Sequence, residues 1–161
     1  MSISSTWLAG VWSGGRPAPA AGDLGILVVD DQLAACLYAD RVLRLAGYQP
    51  VIASSGAEAV RKASAMPGVD VLVTDLMMPE MDGQQLAEIL RRRDPELRVL
   101  YVTGFSDRLF AERAALCTGD AFLEKPYSVA ALEQAFSMLA YGRLGRPERV
   151  PVCAAAPALW I

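Results

Sequence analysis

The 161-residue chain contains no histidine and only three cysteines, Cys36, Cys117 and Cys153, which lie far apart. Without histidine, Ser/His and Cys/His catalysis and imidazole metal sites are excluded, and this sequence cannot itself carry a phosphohistidine. Three widely spaced cysteines form neither a disulfide framework nor a CxxC pair for metal binding or redox chemistry. This cysteine usage fits a reducing, cytoplasmic setting.

The chain also lacks a basic excess and a long apolar run. Its formal net charge is -3 and no tract is rich in Lys or Arg, so we expect no direct binding to nucleic acid or to an anionic membrane. No apolar stretch reaches the roughly 20 residues that cross a bilayer. Residues 1–23 lack the basic start and long apolar core of a secretory signal, and are predicted to be a flexible N-terminal extension.

The sequence contains enough hydrophobic residues to form one core. Hydrophobic residues make up 53% of the chain, and its length is that of one domain plus extensions. The C-terminal 142–161 segment mixes arginines and prolines with an apolar end. It is predicted to be a tail or linker, with the alternative that Trp160 and Ile161 dock on a groove.

Five short segments are predicted to be strands. Most are continuously apolar rather than alternating, which is typical of strands covered on both faces, and this favours a parallel sheet. The five segments are Gly25 to Val29, Pro50 to Ala53, Val69 to Thr74, Arg98 to Val102 and Asp120 to Leu123.

Helical patterns fill the gaps between these strands, giving five βα units. The first helix is predicted to end at Gly47 and to bury a stripe at i, i+3, i+4, i+7 spacing. Ser55 and Glu58 predict a capping box for the second helix, and the third ends in Arg91–Arg93, expected to be solvated. The stripe of the first helix comprises Ala35, Tyr38, Ala39, Val42 and Ala46.

Polar residues stand at the carboxyl ends of four predicted strands: Asp30 with Asp31, Asp75, Thr103 and Lys125. In an open parallel sheet, ligands bind at this edge. Crowded carboxylates raise one another's pKa unless a cation intervenes, and an all-oxygen set favours Mg²⁺. Lys125 could then attract an anion and Thr103 could donate a hydrogen bond to it. Taken singly, the Asp pair could be a helix cap and Thr103 a strand-end cap.

Four separated motifs resemble the receiver domain of bacterial two-component response regulators: LVVDD, VTDLMMP with MDG, VTG and LEKP, beginning at Leu27, Val73, Val102 and Leu123. The resemblance covers 24–141, and the VTGFSD run is similar to receivers of hybrid histidine kinases. It implies a doubly wound, flavodoxin-like (βα)5 fold of the α/β class. That fold has a five-stranded parallel sheet of order 2-1-3-4-5 with helices on both faces.

The resemblance also implies roles at the sheet edge. Asp75 matches the phosphoacceptor, a nucleophile that takes a phosphoryl group from a partner's phosphohistidine. Asp31 matches a direct Mg²⁺ ligand, Asp30 supports the ion, and the backbone carbonyl of Met77 is expected as a further ligand beside Asp75.

Three more positions follow from the same resemblance. Thr103 and Lys125 are expected to contact the phosphoryl oxygens, and the Lys125–Pro126 bond is expected to be cis. Phe122 matches the switch aromatic, which could fill space that Thr103 vacates on phosphorylation. The alternative is that Phe122 is an ordinary core residue.

A surface for the phosphate-donating partner is predicted from the first helix. Leu33, Cys36 and Leu37 are expected away from its core stripe, and receivers commonly dock a histidine-bearing partner there and on the loop that here holds Pro126 and Tyr127. The partner would be a histidine kinase or a histidine phosphotransfer protein. The alternative is an ordinary helix surface with scattered apolar residues.

The sequence is therefore interpreted as a phosphoacceptor signalling protein, rather than a conventional enzyme, that assists its own phosphotransfer and dephosphorylation. About twenty residues follow the fifth helix, too few for an output domain, so a downstream protein target is expected. The face of the fourth and fifth helices could form a homodimer. One alternative is a phosphorylation-independent interaction module. Another is a phosphohydrolase with an aspartate-x-aspartate motif, for which Met77 is the wrong residue.

Overall fold

The protein is described by a computed structural model that covers residues 23–104 and 120–141. Five parallel strands form one sheet in the order β2-β1-β3-β4-β5, which confirms the predicted topology. The register places Val29 beside Thr74, Asp75 beside Val102, and Thr103 beside Glu124. The strands are β1 (Ile26–Val29), β2 (Val51–Ala53), β3 (Val71–Asp75), β4 (Arg98–Thr103) and β5 (Ala121–Glu124).

Four helices lie in the described ranges: α1 (Leu33–Leu45), α2 (Gly56–Ala65), α3 (Gly83–Arg91) and α4 (Val129–Tyr141). The last corresponds to the predicted fifth helix. The predicted fourth helix, with its share of the homodimer face, falls outside the described residues, as do residues 1–22 and 142–161 of the two predicted extensions. None of the described helices is long and apolar enough to cross a bilayer.

Two hydrophobic clusters cover the two faces of the sheet. Because side chains alternate along a strand, Val28 and Val73 enter one cluster with residues of α1 and α4. Leu27 and Leu72 enter the other, with residues of α2 and α3. Burial on both faces explains why the strands read as continuous apolar runs.

Helix α1 is rotated relative to its predicted orientation. Cys36, expected on the surface away from the core, is only 1% exposed, whereas Tyr38 is exposed. The Cys36 thiol donates to the backbone carbonyls of Asp30 and Ala53 at 3.3 and 3.4 Å. The placement of Cys36 on a docking surface was therefore wrong, because this small apolar side chain fills the core. The buried stripe comprises Cys36, Ala39, Val42 and Leu43.

The prediction that the arginines at the end of α3 are solvated holds for Arg92 and Arg93, which are exposed, but not for Arg91, which is partly buried. Arg91 forms an ion pair with the buried carboxylate of Asp120 and also donates to the carbonyl of Leu97. Arg93 donates to the carbonyl of Ala63, the last residue but two of α2. These contacts connect the end of α3 to α2 and to the residue that precedes β5, at the edge of the sheet opposite the strand carboxyl ends.

Candidate functional site

The strand ends bring the polar residues together. Asp30 directly follows β1, Asp75 ends β3, Thr103 ends β4, and Lys125 directly follows β5. The backbone N–H of Lys125 donates to the carbonyl of Thr103 at 2.7 Å, which continues the ladder past β5. All four residues therefore lie at one edge of the sheet, as the strand pattern predicted.

Three carboxylates form a cluster at this edge. Asp30, Asp31 and Asp75 each offer one oxygen, and these oxygens lie within 4.8 Å of one another. Asp30 and Asp75 are buried, whereas Asp31 is exposed, so the cluster is open to water on one side. An all-oxygen donor set with room for water suits Mg²⁺. The carbonyl of Met77 as a further ligand stays a prediction.

Lys125 bridges two of these carboxylates. Its ammonium nitrogen lies 2.6 Å from Oδ2 of Asp30 and 3.0 Å from Oδ2 of Asp75. Burial alone lowers the pKa of Lys125, but the hydrogen bonds to Asp30 and Asp75 outweigh it and the pKa is raised. The side chain therefore stays charged at the site. The sequence predicted Lys125 as a charge for an incoming anion, and did not predict its contact with Asp30.

The carboxylate of Asp75 is held in an environment that disfavours its charge. Burial, the largest cause, raises its pKa, and the negative charge of Asp30 adds to this. The bonds from Lys125 and from the backbone N–H of Met77, at 3.1 Å, act in the opposite direction. Repulsion between the carboxylates, which the sequence predicted as a cause of a raised pKa, is a smaller cause than burial.

The loop after β3 is packed tightly behind Asp75. The hydroxyl of Thr74 donates to the Asp75 carbonyl at 3.0 Å, and the N–H of Gly83 donates to the Leu76 carbonyl at 3.0 Å. A Cβ on Gly83 would lie 2.3 Å from the Asp75 carbonyl oxygen. The loop enters α3 through a reciprocal capping box of Asp82 and Gln85. The spacing of these two residues indicates a capping box, but none was predicted for this helix from the sequence.

Thr103 and Phe122 are both fully buried. The hydroxyl of Thr103 has no hydrogen-bond partner among the described residues, although a buried unpaired hydroxyl costs about 1–3 kcal/mol. A group bound at the sheet edge could supply the missing partner. Burial of Phe122 is compatible both with a switch aromatic and with an ordinary core residue, so its role as a switch stays a prediction.

The predicted partner-docking residues other than Cys36 lie at least partly on the surface. Leu33 and Leu37 of α1 are 58% and 50% exposed, Pro126 is exposed, and Tyr127 is half-buried. Tyr38 links α1 to the loop, since its hydroxyl lies 3.4 Å from the Tyr127 carbonyl. The bond between Lys125 and Pro126 is cis, as predicted.

A family model of the response regulator receiver domain matches residues 26–137. The chain belongs to the response regulator receiver domain family. Receiver domains are signalling modules that bind Mg²⁺ at an acidic pocket and interact with histidine kinases or phosphotransfer proteins and with downstream targets. The acidic cluster of Asp30, Asp31 and Asp75 lies where such a pocket is expected.

Individual relatives agree with this assignment. The sensor kinase CckA of Brucella abortus is 34% identical over 110 residues, covering 68% of this chain but only 12% of CckA. The response regulator receiver protein CpdR of the same organism is 35% identical over 81 residues, covering 50% of this chain and 67% of CpdR. A response regulator receiver protein from Sinorhizobium medicae superposes with a TM-score of 0.64 at 30% identity, over 73% of this chain and 94% of that chain.

The close approach of Gly83 to the backbone of Asp75 predicts that adding a methyl group at position 83 destabilises the fold. Gly83→Ala should lower the free energy of unfolding by about 1–3 kcal/mol, because the closest atom that the new methyl group meets is the backbone carbonyl oxygen of Asp75, at 2.3 Å. Gly68→Ala is the matched control: its nearest contact is 3.6 Å, so it should cost less than about 1 kcal/mol. Urea unfolding of both variants checks this, and equal losses would contradict the close-packed loop.

Proposed function

We propose that Asp75 accepts a phosphoryl group from the phosphohistidine of a partner, in a Mg²⁺-dependent reaction, and that the phosphorylated domain signals by altered binding to a downstream protein. The observation that carries this proposal is the buried Asp75 carboxylate in contact with Lys125 and within the acidic cluster. Since the sequence contains no histidine, the phosphohistidine lies outside it.

The transfer exchanges one bond for another. A carboxylate oxygen of Asp75 attacks phosphorus, the P–N bond to the partner's imidazole breaks, and its electron pair stays on the imidazole nitrogen. Phosphoryl transfer passes through a loose transition state, so the protein contributes mainly by positioning groups and by neutralising charge. Bound Mg²⁺, held by Asp30, Asp31 and Asp75, would supply positive charge next to the phosphoryl oxygens.

Lys125 and Thr103 supply the remaining contacts in this proposal. The ammonium of Lys125, which is 3.0 Å from Oδ2 of Asp75, is proposed to neutralise a phosphoryl oxygen. The unpaired hydroxyl of Thr103 can donate to another oxygen and so gain the partner that it lacks among the described residues. The phosphoryl group adds about 1.5 to 2 negative charges at neutral pH, which strengthens both contacts.

The proposal predicts phosphorylation of the protein, which can be detected as a gain in mass. Incubation with acetyl phosphate and Mg²⁺ should add one phosphoryl group per chain, measured by intact mass spectrometry, and chelation of the metal should prevent it. Asp75→Asn should abolish the gain because the nucleophile is lost. Asp40→Asn, which changes a carboxylate on α1 that pairs only with Arg44 in the described structure, should retain it. An unmodified wild-type protein would favour the interaction-module alternative.

We further propose that the exposed leucines of α1 contact the phosphate-donating partner. Leu33 and Leu37 are four residues apart, hence on one side of the helix, and Tyr38 connects that helix to the loop that follows Lys125. A partner presenting its histidine to Asp75 would find apolar surface there, next to the acidic cluster.

A substitution that adds a charge to this surface tests the docking proposal. Leu37→Glu should slow transfer from a phosphorylated histidine phosphotransfer protein roughly tenfold, because burying an exposed leucine contributes about 1.5–3 kcal/mol. Leu45→Glu is the matched control, since Leu45 is 75% exposed at the far end of the same helix. The rate of phosphoryl transfer to both variants is measured by rapid quench, and the rate with acetyl phosphate is measured in parallel. Equal slowing with acetyl phosphate would contradict a docking role.

A further inference from the structure

The outer side of α4 is uncharged. Its exposed residues recur at spacings of three and four and so lie along one side of the helix, here called the α4 stripe: Ala130, Gln134, Ser137, Met138 and Tyr141. Met138 and Tyr141, its large apolar members, are 42% and 47% exposed. Glu133, the only charged residue in α4, is half-buried. The helix therefore presents to water a side that carries no charge.

The other described helices do not share this property. Each exposes at least one charged side chain: α1 has Arg41 and Arg44, α2 has Arg61, and α3 has Glu88. Scattered apolar residues on a helix surface are ordinary. A side without any charge is instead typical of a helix that packs against another part of a protein. The α4 stripe is therefore a candidate packing surface.

The chain leaves the described structure at the end of this stripe. Tyr141 is the last described residue, and the sequence continues for twenty more. All four charged side chains of this stretch lie in 142–150, here called the connector. The next eleven residues, 151–161, are here called the apolar segment. They contain no charged side chain and include Leu159, Trp160 and Ile161.

The connector is long enough for the apolar segment to reach the whole stripe. From Ala130 to Tyr141 the stripe is about 16 Å long, at a rise of 1.5 Å per helical residue. The nine residues of the connector span up to about 30 Å when extended. The apolar segment can therefore return along α4 without crossing the sheet.

We propose that the apolar segment of this chain docks on the α4 stripe and shields it from water. The two surfaces are matched in charge, because neither carries an ionic side chain that would lose its water on contact. Attachment through the connector also keeps the segment near the stripe at an effective concentration of roughly millimolar. The proposal names a surface for the docking of Trp160 and Ile161 that the sequence left as an alternative. It does not depend on phosphorylation of Asp75.

Tryptophan fluorescence tests this docking in the full chain. The sequence has three tryptophans, Trp7, Trp12 and Trp160, so Trp7→Phe with Trp12→Phe leaves Trp160 as the only one. At a millimolar effective concentration even a weak contact keeps the segment mostly docked, so acrylamide should quench Trp160 about two- to tenfold more slowly than in the free peptide 151–161. The emission maximum should also lie at a shorter wavelength than that of the peptide.

A charge placed in the stripe should release the segment. In the same background, Met138→Lys should raise the quenching rate to that of the peptide, because a docked segment would bury the ammonium group. Ala65→Lys is the matched control, since it adds the same charge to an exposed position of α2, on the other face of the sheet. It should leave Trp160 protected. If Met138→Lys does not fold by circular dichroism, Ser137→Lys charges the same stripe and should have the same effect.

Four results would overturn the proposal. The first is a quenching rate for Trp160 equal to that of the peptide, and the second is protection that persists in both Met138→Lys and Ser137→Lys. The third is protection that is lost on dilution, because the segment would then be bound by a second copy of the chain. The fourth is protection of Trp7 and Trp12, in a Trp160→Phe background, that Met138→Lys removes, because the amino end would then be the occupant.

Discussion

The contact of Lys125 with Asp30 and Asp75 is the interaction on which the site depends. It joins residues from three strands, because Lys125 follows β5, Asp75 ends β3 and Asp30 follows β1. Burial disfavours the charge of Asp75, the nearby carboxylate of Asp30 adds a smaller repulsion, and the ammonium between the two carboxylates offsets both effects. The parallel sheet makes the contact feasible, since the carboxyl ends of its strands share one edge.

The same edge couples the site to the interior. Behind Asp75, Gly83 allows the loop into α3 to approach the backbone of the nucleophile closely. Beside it, Thr103 ends β4, and the next residue on its face is the Tyr101 that stacks on Phe122. The loop into α3 therefore lies against the backbone of Asp75, and the aromatic stack lies two residues along β4 from Thr103.

Much of this could be predicted from the sequence because it depends on local pattern. Doubly covered strands give apolar runs, and five such runs separated by amphipathic segments indicate the parallel sheet. Polar residues that interrupt those runs at their ends indicate the site. Asp75, Asp31 and Lys125 can be located in this way without any geometry, and the segment matched by the family model contains all three.

What could not be predicted depends on contacts between distant segments. The rotation of α1 that buries Cys36 is set by how well side chains fill the core, and a helical stripe one residue away fits the apolar pattern almost equally well. Arg91 was predicted to be solvated because its partner, Asp120, lies 29 residues later in the sequence and comes close to it only in the folded chain. The stack of Tyr101 on Phe122 likewise requires the register between β4 and β5.

The central claim is that Asp75 is the residue that receives the phosphoryl group. Borohydride reduction of an aspartyl phosphate yields homoserine, which marks the modified position permanently. After incubation with acetyl phosphate and Mg²⁺, reduction and peptide mapping by mass spectrometry should find homoserine at position 75 and at no other aspartate. Homoserine at Asp30 or Asp31 instead, or at no position in a protein that has gained mass, would contradict the account.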